Sequence, residues 1–292
     1  LICLAFIGST IYGNFDALSN QRITIEVILW LLFSTLFSLV SIIINAYAWK
    51  ILINSIGCDS NKFNIIKIFL NTNIYKYLPG GIWHFVSRYN TLRLKFSIEK
   101  SVESILLEPL LMLVAGLLFI PLGNSSIYIF IVCWSSILSF LPIFRKLIIK
   151  NLKSIKINIF ASNDTLNHKN LVNFDKDFHK KISYPYKALF VEIIFILFRY
   201  LGFFCCLNAF SIGSLISQID LISSFSLAWI IGLVVPAAPG GLGVFESAIL
   251  FGLGSQLPEA PLLASLLFYR LVTSFSDIFA ALIYPIKRSF KV

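Results

Sequence analysis

Charged side chains are scarce in this sequence. Asp, Glu, Lys and Arg make up 13% of the 292 residues, whereas hydrophobic residues make up 58%, and an average soluble domain carries about 25% charged residues. Together with a mean hydropathy of +0.85, this shortage excludes a soluble globular enzyme, a disordered chain and a collagen-like fibre. We therefore expect an integral membrane protein.

Cysteine and histidine are also few. The five cysteines and three histidines show no spacing typical of a metal, haem or redox motif, so we expect no metal site and no cofactor. No Ser-His-Asp arrangement or Asp-rich diphosphate motif is present, which leaves only a carboxylate base at Glu108 or Glu246 as a catalytic possibility. The stretch after Gly240 lacks the Lys-Ser/Thr ending of a nucleotide-binding loop.

The apolar residues are grouped in long runs. Five runs of about 18 to 25 residues are each long enough to cross a bilayer, and they cover 27–49, 101–121, 127–144, 187–210 and 261–285. Residues 1–12 are apolar but too short to span, and we interpret them as the end of a first helix that starts before Leu1. The sequence thus predicts an all-α polytopic membrane protein with about six spanning helices.

The basic residues indicate how these helices are oriented. Residues 50–100 carry eight Lys or Arg and residues 145–187 carry ten, whereas 122–126 and 211–218 carry none. Basic loops stay on the cytoplasmic side, so we expect these two segments and the basic C-terminus to be cytoplasmic, in a multi-pass protein of the cell (inner or plasma) membrane. The net charge of +10 is thereby explained without a nucleic-acid partner.

Two further apolar segments are interrupted and cannot be plain spans. Segment 65–93 is broken by Pro79-Gly80-Gly81, and segment 219–256 is broken by Pro239-Gly240-Gly241. The charge pattern requires each segment to start and end on one side of the membrane. Proline removes a backbone N–H and glycine tolerates a tight reversal, so we predict two re-entrant helical hairpins with these tripeptides at their tips.

The two broken segments belong to a longer internal repeat. A shift of 160 positions carries residues 27–121 onto residues 187–281, and it superimposes the two Pro-Gly-Gly tips. The charge pattern gives the two copies opposite orientations, which is the inverted repeat found in many transporters. We predict one integral membrane domain over residues 1–292, with repeats at about 27–121 and 187–285 and a basic cytoplasmic linker at 145–186.

The helix starts that follow the tips are candidate anion sites. Helix N-termini expose N–H groups and the positive end of the helix dipole, so the starts after Gly81 and Gly241 are suited to a lipid phosphate. Trp83 and Arg88 follow the first tip, and Arg270 is expected near the second. The alternative is that the glycines only permit close packing of the backbone.

Several ionisable residues lie inside the apolar runs, where such groups usually face the interior of the bundle. They are Glu103, Glu108, Glu192, Arg199, Glu246, Arg270 and Asp277. Residues seven positions apart on a helix are separated by about 10 Å along its axis, so Glu192 and Arg199 cannot meet, nor can Arg270 and Asp277. We expect each charge to find a partner on another helix or to face a water-filled cavity, and we specifically expect a contact between Glu246 and Arg270. The alternative role for these charges is purely structural.

Several of these residues carry a family resemblance. The stretches Tyr77-Leu-Pro79-Gly80-Gly81-Ile-Trp83 with Arg88, Leu106-Leu-Glu108, Pro239-Gly240-Gly241-Leu-Gly243-Val-Phe-Glu246 and Tyr269-Arg270 resemble motifs in the transmembrane region of lysylphosphatidylglycerol synthases. The resemblance covers about residues 20–285. One departure is Pro109, where that pattern has a basic residue after the glutamate.

The resemblance implies a membrane region that moves aminoacylated phosphatidylglycerol between leaflets, while a separate cytoplasmic domain transfers the amino acid. The sequence ends seven residues after Pro285, so we expect a stand-alone member without the synthase domain. The expected function is a flippase-like protein that binds or translocates an anionic or glycosylated lipid, and its partners are anionic phospholipids or lipid-linked sugars. The alternative is a membrane glycosyltransferase or accessory protein that uses polyprenyl-linked sugars.

The expected head-group site combines the two tips with the charged residues of the motifs. Its members are Pro79, Gly80, Gly81, Trp83, Arg88, Glu108, Pro239, Gly240, Gly241, Gly243, Glu246 and Arg270.

Overall fold

The computed structural model of the chain describes residues 24–78, 81–123, 126–140, 184–235 and 243–283. Within these ranges all regular secondary structure is helical. The α-helices are α1 Ile25–Ser55, α2 Ile65–Asn73, α3 Trp83–Leu92, α4 Ile98–Leu117, α5 Ile127–Ser135, α6 Tyr186–Ala209, α7 Gln218–Val234, α8 Val244–Leu253 and α9 Glu259–Ile283. Short 3₁₀ turns cover Ser60–Lys62, Ile74–Tyr77, Ile120–Leu122 and Ser136–Phe140.

Some expectations fall outside the described residues. They are the first helix at 1–12, Pro79, Gly80, most of the linker 145–186, the tip residues Pro239, Gly240 and Gly241, and the basic C-terminal tail.

Within the described ranges, four helices are long and apolar enough to cross a membrane. They are Ile25–Ser55, Ile98–Leu122, Tyr186–Ala209 and Glu259–Ile283, and they coincide with four of the five complete apolar runs. The described part of the fifth run is the apolar segment Ile127–Phe140, and residues 141–144 lie outside the described residues. The chain is thus an all-α multi-pass membrane protein, as the composition indicated, whereas the count of six spans stays a prediction.

The first broken segment forms two helices too short to span, whereas the second forms α7, which has 17 residues, and α8, which has ten. Helix α2 has nine residues and α3 has ten, with the 3₁₀ turn Ile74–Tyr77 following α2. At about 1.5 Å per residue these helices are each near half of the roughly 30 Å hydrocarbon core. Helices α2 and α3 contact each other, as do α7 and α8. The lengths of α2, α3 and α8 suit re-entrant hairpins, whereas α7, at about 26 Å, is nearly as long as the hydrocarbon core is thick. The two hairpins, with their entry and exit sides, stay predictions.

Three pairs of helices in the two halves of the chain start in matching register. Helices α1, α3 and α4 begin at residues 25, 83 and 98, and helices α6, α8 and α9 begin at residues 186, 244 and 259, so each of these three pairs is offset by 161 positions. The pair α2 and α7, which begin at residues 65 and 218, is offset by 153. The offset of the three pairs agrees with the sequence shift of 160 to within one residue. The opposite membrane orientation of the two copies stays a prediction.

Close packing of α1 on α6 joins the two halves. The hydroxyl of Ser34 donates a hydrogen bond of 2.7 Å to the carbonyl of Gly202, and Ser34 and Ser38 are completely buried. A Cβ atom at position 202 would lie 3.0 Å from the Ser38 hydroxyl. Small residues of this kind allow helix backbones to approach closely in membranes. Helix α9 packs against α1, α2 and α6.

Candidate functional site

A cavity of about 440 Å³ is lined by residues from both halves of the chain. This volume lies within the usual range of about 300–1,000 Å³ for small-molecule sites. Its ionisable lining residues are Lys76, Arg88, Arg199, Arg270, Glu108 and His84. Four of these are cations of Lys or Arg, and three carboxylates pair with them, which are Glu108, Glu246 and Asp277. The excess of one positive charge favours an anion.

The first half contributes a buried ion pair. Arg88 on α3 is 1% exposed, and its guanidinium forms a salt bridge with Glu108 on α4. Its Nε donates a 3.2 Å hydrogen bond to the Thr72 hydroxyl, and the guanidinium lies 3.9 Å from the centre of the Phe69 ring. Pro109 lies inside α4 without preventing this pair, because the cation comes from a different helix.

The second half contributes the predicted pair of Glu246 and Arg270. The Arg270 Nε donates to one carboxylate oxygen, and its Nη2 lies 3.3 Å from the other. The second oxygen also accepts a 2.8 Å hydrogen bond from the backbone N–H of Gly243. Gly243 has φ of +88°, a conformation that favours glycine, and this allows Glu246 to turn back and cap the start of α8.

This capping argues against the predicted anion site at the start of α8. The backbone N–H of Gly243 is already bonded to the side chain of Glu246, so the carboxylate occupies a donor that a phosphate would use. At the first break, Gly81 has φ of +65° and Ile82 precedes α3 without a side-chain cap. Both residues line the cavity.

Aromatic rings fix the position of the second pair. The ring centres of Phe203 and Phe245 lie 5.9 Å apart, and those of Phe203 and Tyr269 lie 5.4 Å apart, both edge to face. Phe225 contacts all three of these rings. Because the four rings come from α6, α7, α8 and α9, they hold the helices that carry Glu246 and Arg270 in a fixed arrangement.

A third charged cluster surrounds Asp277, which is completely buried on α9. Its carboxylate accepts hydrogen bonds from the Tyr77 hydroxyl at 2.5 Å and the Asn73 amide at 3.1 Å. The Lys76 ammonium lies 2.7 Å away, and the Arg199 guanidinium lies 3.8 Å away. The expectation that Arg199 and Asp277 find partners on other helices is thus confirmed.

Sequence reasoning did not place Asn73, Lys76 and Tyr77 in the site. A signal was present, because positions i, i+3 and i+4 share one face of a helix and this face directly precedes the first Pro-Gly-Gly tip. The polar character of that face pointed to a buried acceptor on another helix.

Glu192 differs from the other intramembrane carboxylates. It is 1% exposed on α6, and one of its carboxylate oxygens has no hydrogen-bond partner in the part of the chain that the structure describes. It lies two turns before Arg199 on the same helix and does not line the cavity.

The structure brings most of the described candidates together. Gly81, Arg88, Glu108 and Arg270 line the cavity, and the side chain of Glu246 contacts Arg270 beside it. Trp83 is 48% exposed and is not among the lining residues. The lining also includes the aromatic residues His84 and Trp229 near the breaks, and Pro109, Lys76, Tyr77 and Arg199, none of which the expected site contained. Among the described residues no group of three or more His, Cys, Asp or Glu is arranged to hold a metal ion.

The chain was compared with curated proteins and with models of protein families. No curated protein matches the chain. The family model described as "Lysylphosphatidylglycerol synthase TM region" matches residues 1–280, which is nearly the whole sequence and includes all three charged clusters. The chain therefore belongs to the family of lysylphosphatidylglycerol synthase transmembrane regions.

Proposed function

We propose that this protein is flippase-like and that it binds the head group of an anionic or glycosylated lipid in the cavity and carries it between leaflets. The observation that carries the proposal is the cationic wall of this cavity within a bundle of spanning helices. Ionisable residues are costly inside a membrane and commonly mark a substrate path. The four cations of the wall exceed by one the three carboxylates that pair with them, and this net positive charge favours a negatively charged head group.

The edge of the cavity suits a lipid better than a water-soluble anion. Ile82 and Val235 line the cavity next to the two breaks, and they are 45% and 38% exposed. Leu233 adds a third apolar lining side chain. A phosphate inside and acyl chains along this apolar edge would keep the chains out of water, where each exposed CH₂ costs about 0.8 kcal/mol.

The proposal includes the membrane arrangement inferred from sequence. We place the protein in the cell membrane with its basic loops and C-terminus in the cytoplasm, and we take α2–α3 and α7–α8 as re-entrant hairpins of an inverted repeat. The offset of 161 positions shared by three helix pairs and the short helices α2, α3 and α8 support this arrangement. Paired discontinuous helices of inverted repeats commonly form substrate sites near the midplane.

The contacts of the carboxylates favour binding over glycosyl transfer. Glu108 is paired with Arg88, and Glu246 is bonded to Arg270 and to the N–H of Gly243. A general base needs to reach the proton of the substrate, and these carboxylates are engaged by cations instead. A positioning role in an anion site agrees better with these contacts.

Reconstitution into vesicles tests the proposal. The full chain is placed in phosphatidylcholine vesicles with a trace of phosphatidylglycerol that carries a fluorescent acyl chain, and dithionite bleaches the label in the outer leaflet. We expect bleaching to proceed beyond the half that protein-free vesicles show. If bleaching stops at half while the protein converts a polyprenyl-linked sugar in micelles, the enzyme alternative is correct.

Two glycine variants provide a matched comparison. Gly232 lines the cavity, whereas a Cβ atom at Gly252 would meet nothing within 4 Å. We expect Gly232→Leu to fill part of the cavity and slow lipid movement at least tenfold, about the effect of 1.4 kcal/mol on a barrier. Gly252→Leu should retain the original rate. Equal rates in the two variants would show that the lipid does not move through this cavity.

A further inference from the structure

The three charged clusters differ in their charge balance. The two pairs described above each join one cation to one carboxylate, whereas Lys76 and Arg199 share the single carboxylate of Asp277. Both cations line the cavity and Asp277 lies behind them, completely buried. The third cluster therefore presents one uncompensated positive charge to the cavity.

Arg199 is the less satisfied of the two cations. Its side chain is 9% exposed, and its Nη2 lies 3.8 Å from the Asp277 carboxylate, which is beyond the distance of a hydrogen bond. Its other polar neighbour is the Tyr269 hydroxyl. A guanidinium carries five N–H donors, so within the described residues most of them are not used by the protein.

We propose that the phosphate of the lipid head group binds between Lys76 and Arg199, and that Asp277 is the resident counter-ion from which the phosphate takes these cations. This proposal rests on the proposed function and names the site for the charged part of the lipid. Asp277 would remain satisfied after the exchange, because the Asn73 amide and the Tyr77 hydroxyl still donate to it.

The exchange also suggests how binding is coupled to movement. Asn73, Lys76 and Tyr77 end the segment before the first break, and all three contact Asp277 on α9. When the phosphate takes Lys76 from Asp277, this segment loses its ionic contact with α9. Binding would thereby loosen the first hairpin from the second half of the protein.

Competition between phosphate and carboxylate predicts opposite effects for neighbouring residues. Removing a cation with Arg199→Gln or Lys76→Gln should weaken lipid binding about tenfold, the size of one charge-assisted hydrogen bond. Removing the competing charge with Asp277→Asn should strengthen it several-fold. A purely structural cluster would instead give losses at all three positions.

Native mass spectrometry of the full chain in detergent measures these effects. The protein is titrated with equal amounts of phosphatidylglycerol and phosphatidylcholine, and the ratio of the two bound lipids is recorded for each variant. Lys187→Gln at the start of α6 and Glu259→Gln at the start of α9 are matched charge controls, because both side chains are exposed on the helices that carry Arg199 and Asp277. Both controls should keep the original ratio.

The outcomes separate this proposal from the one on which it rests. Equal binding of the two lipids to the original protein would overturn the proposed function. A preference for phosphatidylglycerol that Arg199→Gln leaves unchanged, or that Asp277→Asn lowers, would overturn only the counter-ion exchange. Lys76 is 23% exposed and tolerates replacement best, so an unchanged ratio in Lys76→Gln overturns the exchange even if Asp277→Asn does not fold.

A competition arm identifies the source of the phosphate. sn-Glycerol 3-phosphate carries the phosphate without the acyl chains, so it should not displace bound phosphatidylglycerol at equal concentration. If it does displace phosphatidylglycerol at that concentration, the phosphate site between Lys76 and Arg199 is supported, but the claim that its ligand is a lipid is overturned.

Discussion

The pair of Glu246 and Arg270 supports a quantitative prediction about stability. The two side chains come from α8 and α9 and are 5% and 22% exposed. Changing each to glutamine removes its charge while keeping similar size and polarity. We therefore expect the two substitutions to be strongly coupled in a double-mutant cycle.

The magnitude follows from what each variant leaves behind. Breaking a fully buried pair costs about 3–5 kcal/mol, and the partial exposure of Arg270 reduces this. Arg270→Gln leaves the Glu246 carboxylate with the N–H of Gly243, and we expect a loss of about 3 kcal/mol. Glu246→Gln leaves a guanidinium that faces the cavity, with an expected loss of about 2 kcal/mol. The double variant should lose about 3 kcal/mol, which gives a coupling near 2 kcal/mol.

Buried cysteines provide the assay. The thiols of Cys58, Cys133, Cys205 and Cys206 are buried, so a thiol-reactive fluorophore reports unfolding as they become exposed. The denaturant is sodium dodecyl sulfate, titrated into detergent-solubilised protein for the original chain, both single variants and the double variant. If the losses in the free energy of unfolding simply add, the two charges act independently, and the contact between Glu246 and Arg270 is refuted.

Two other predictions concern packing and topology. Gly202→Leu should lower the free energy of unfolding by about 1–3 kcal/mol, because its Cβ would lie 3.0 Å from the Ser38 hydroxyl; the same assay should find Gly252→Leu close to the original chain, and equal stability of the two variants would refute close packing of α1 on α6. Single cysteines at Asn61 and Leu94, both exposed on either side of the first broken segment, should react with a membrane-impermeant thiol reagent from the same side in a cysteine-free background. Labelling from opposite sides would refute the first re-entrant hairpin.

The fold was largely predictable because its strongest signals are local. Apolar runs of about 20 residues indicate spanning helices whatever their neighbours, and four runs form such helices. In the run at 127–144 the described residues form an α-helix over Ile127–Ser135 and a 3₁₀ turn to Phe140, and the crossing of the membrane by this run stays a prediction.

The site was predictable where charge placement left few choices. A buried carboxylate and a buried cation on neighbouring elements relieve their cost most simply by meeting, which led to the pair of Glu246 and Arg270. The sequence did not identify Arg88 as the partner of Glu108. The family pattern has a basic residue directly after the glutamate, where this chain has Pro109, and so it did not indicate a cation on another helix. Four donors around Asp277 depend on the packing of three separate helical segments, and no spacing in the sequence encodes that packing.

The central claim is that a lipid head group occupies the cationic cavity. Phosphatidylglycerol with a photoreactive group on its head group, incorporated into nanodiscs with the full chain, tests this claim most directly by mass spectrometric mapping of the adducts. The account predicts adducts on lining residues such as Tyr77, Phe85 and Trp229, and their suppression by excess phosphatidylglycerol but not by phosphatidylcholine. Adducts confined to outward-facing side chains such as Phe251, which is 94% exposed, would contradict it.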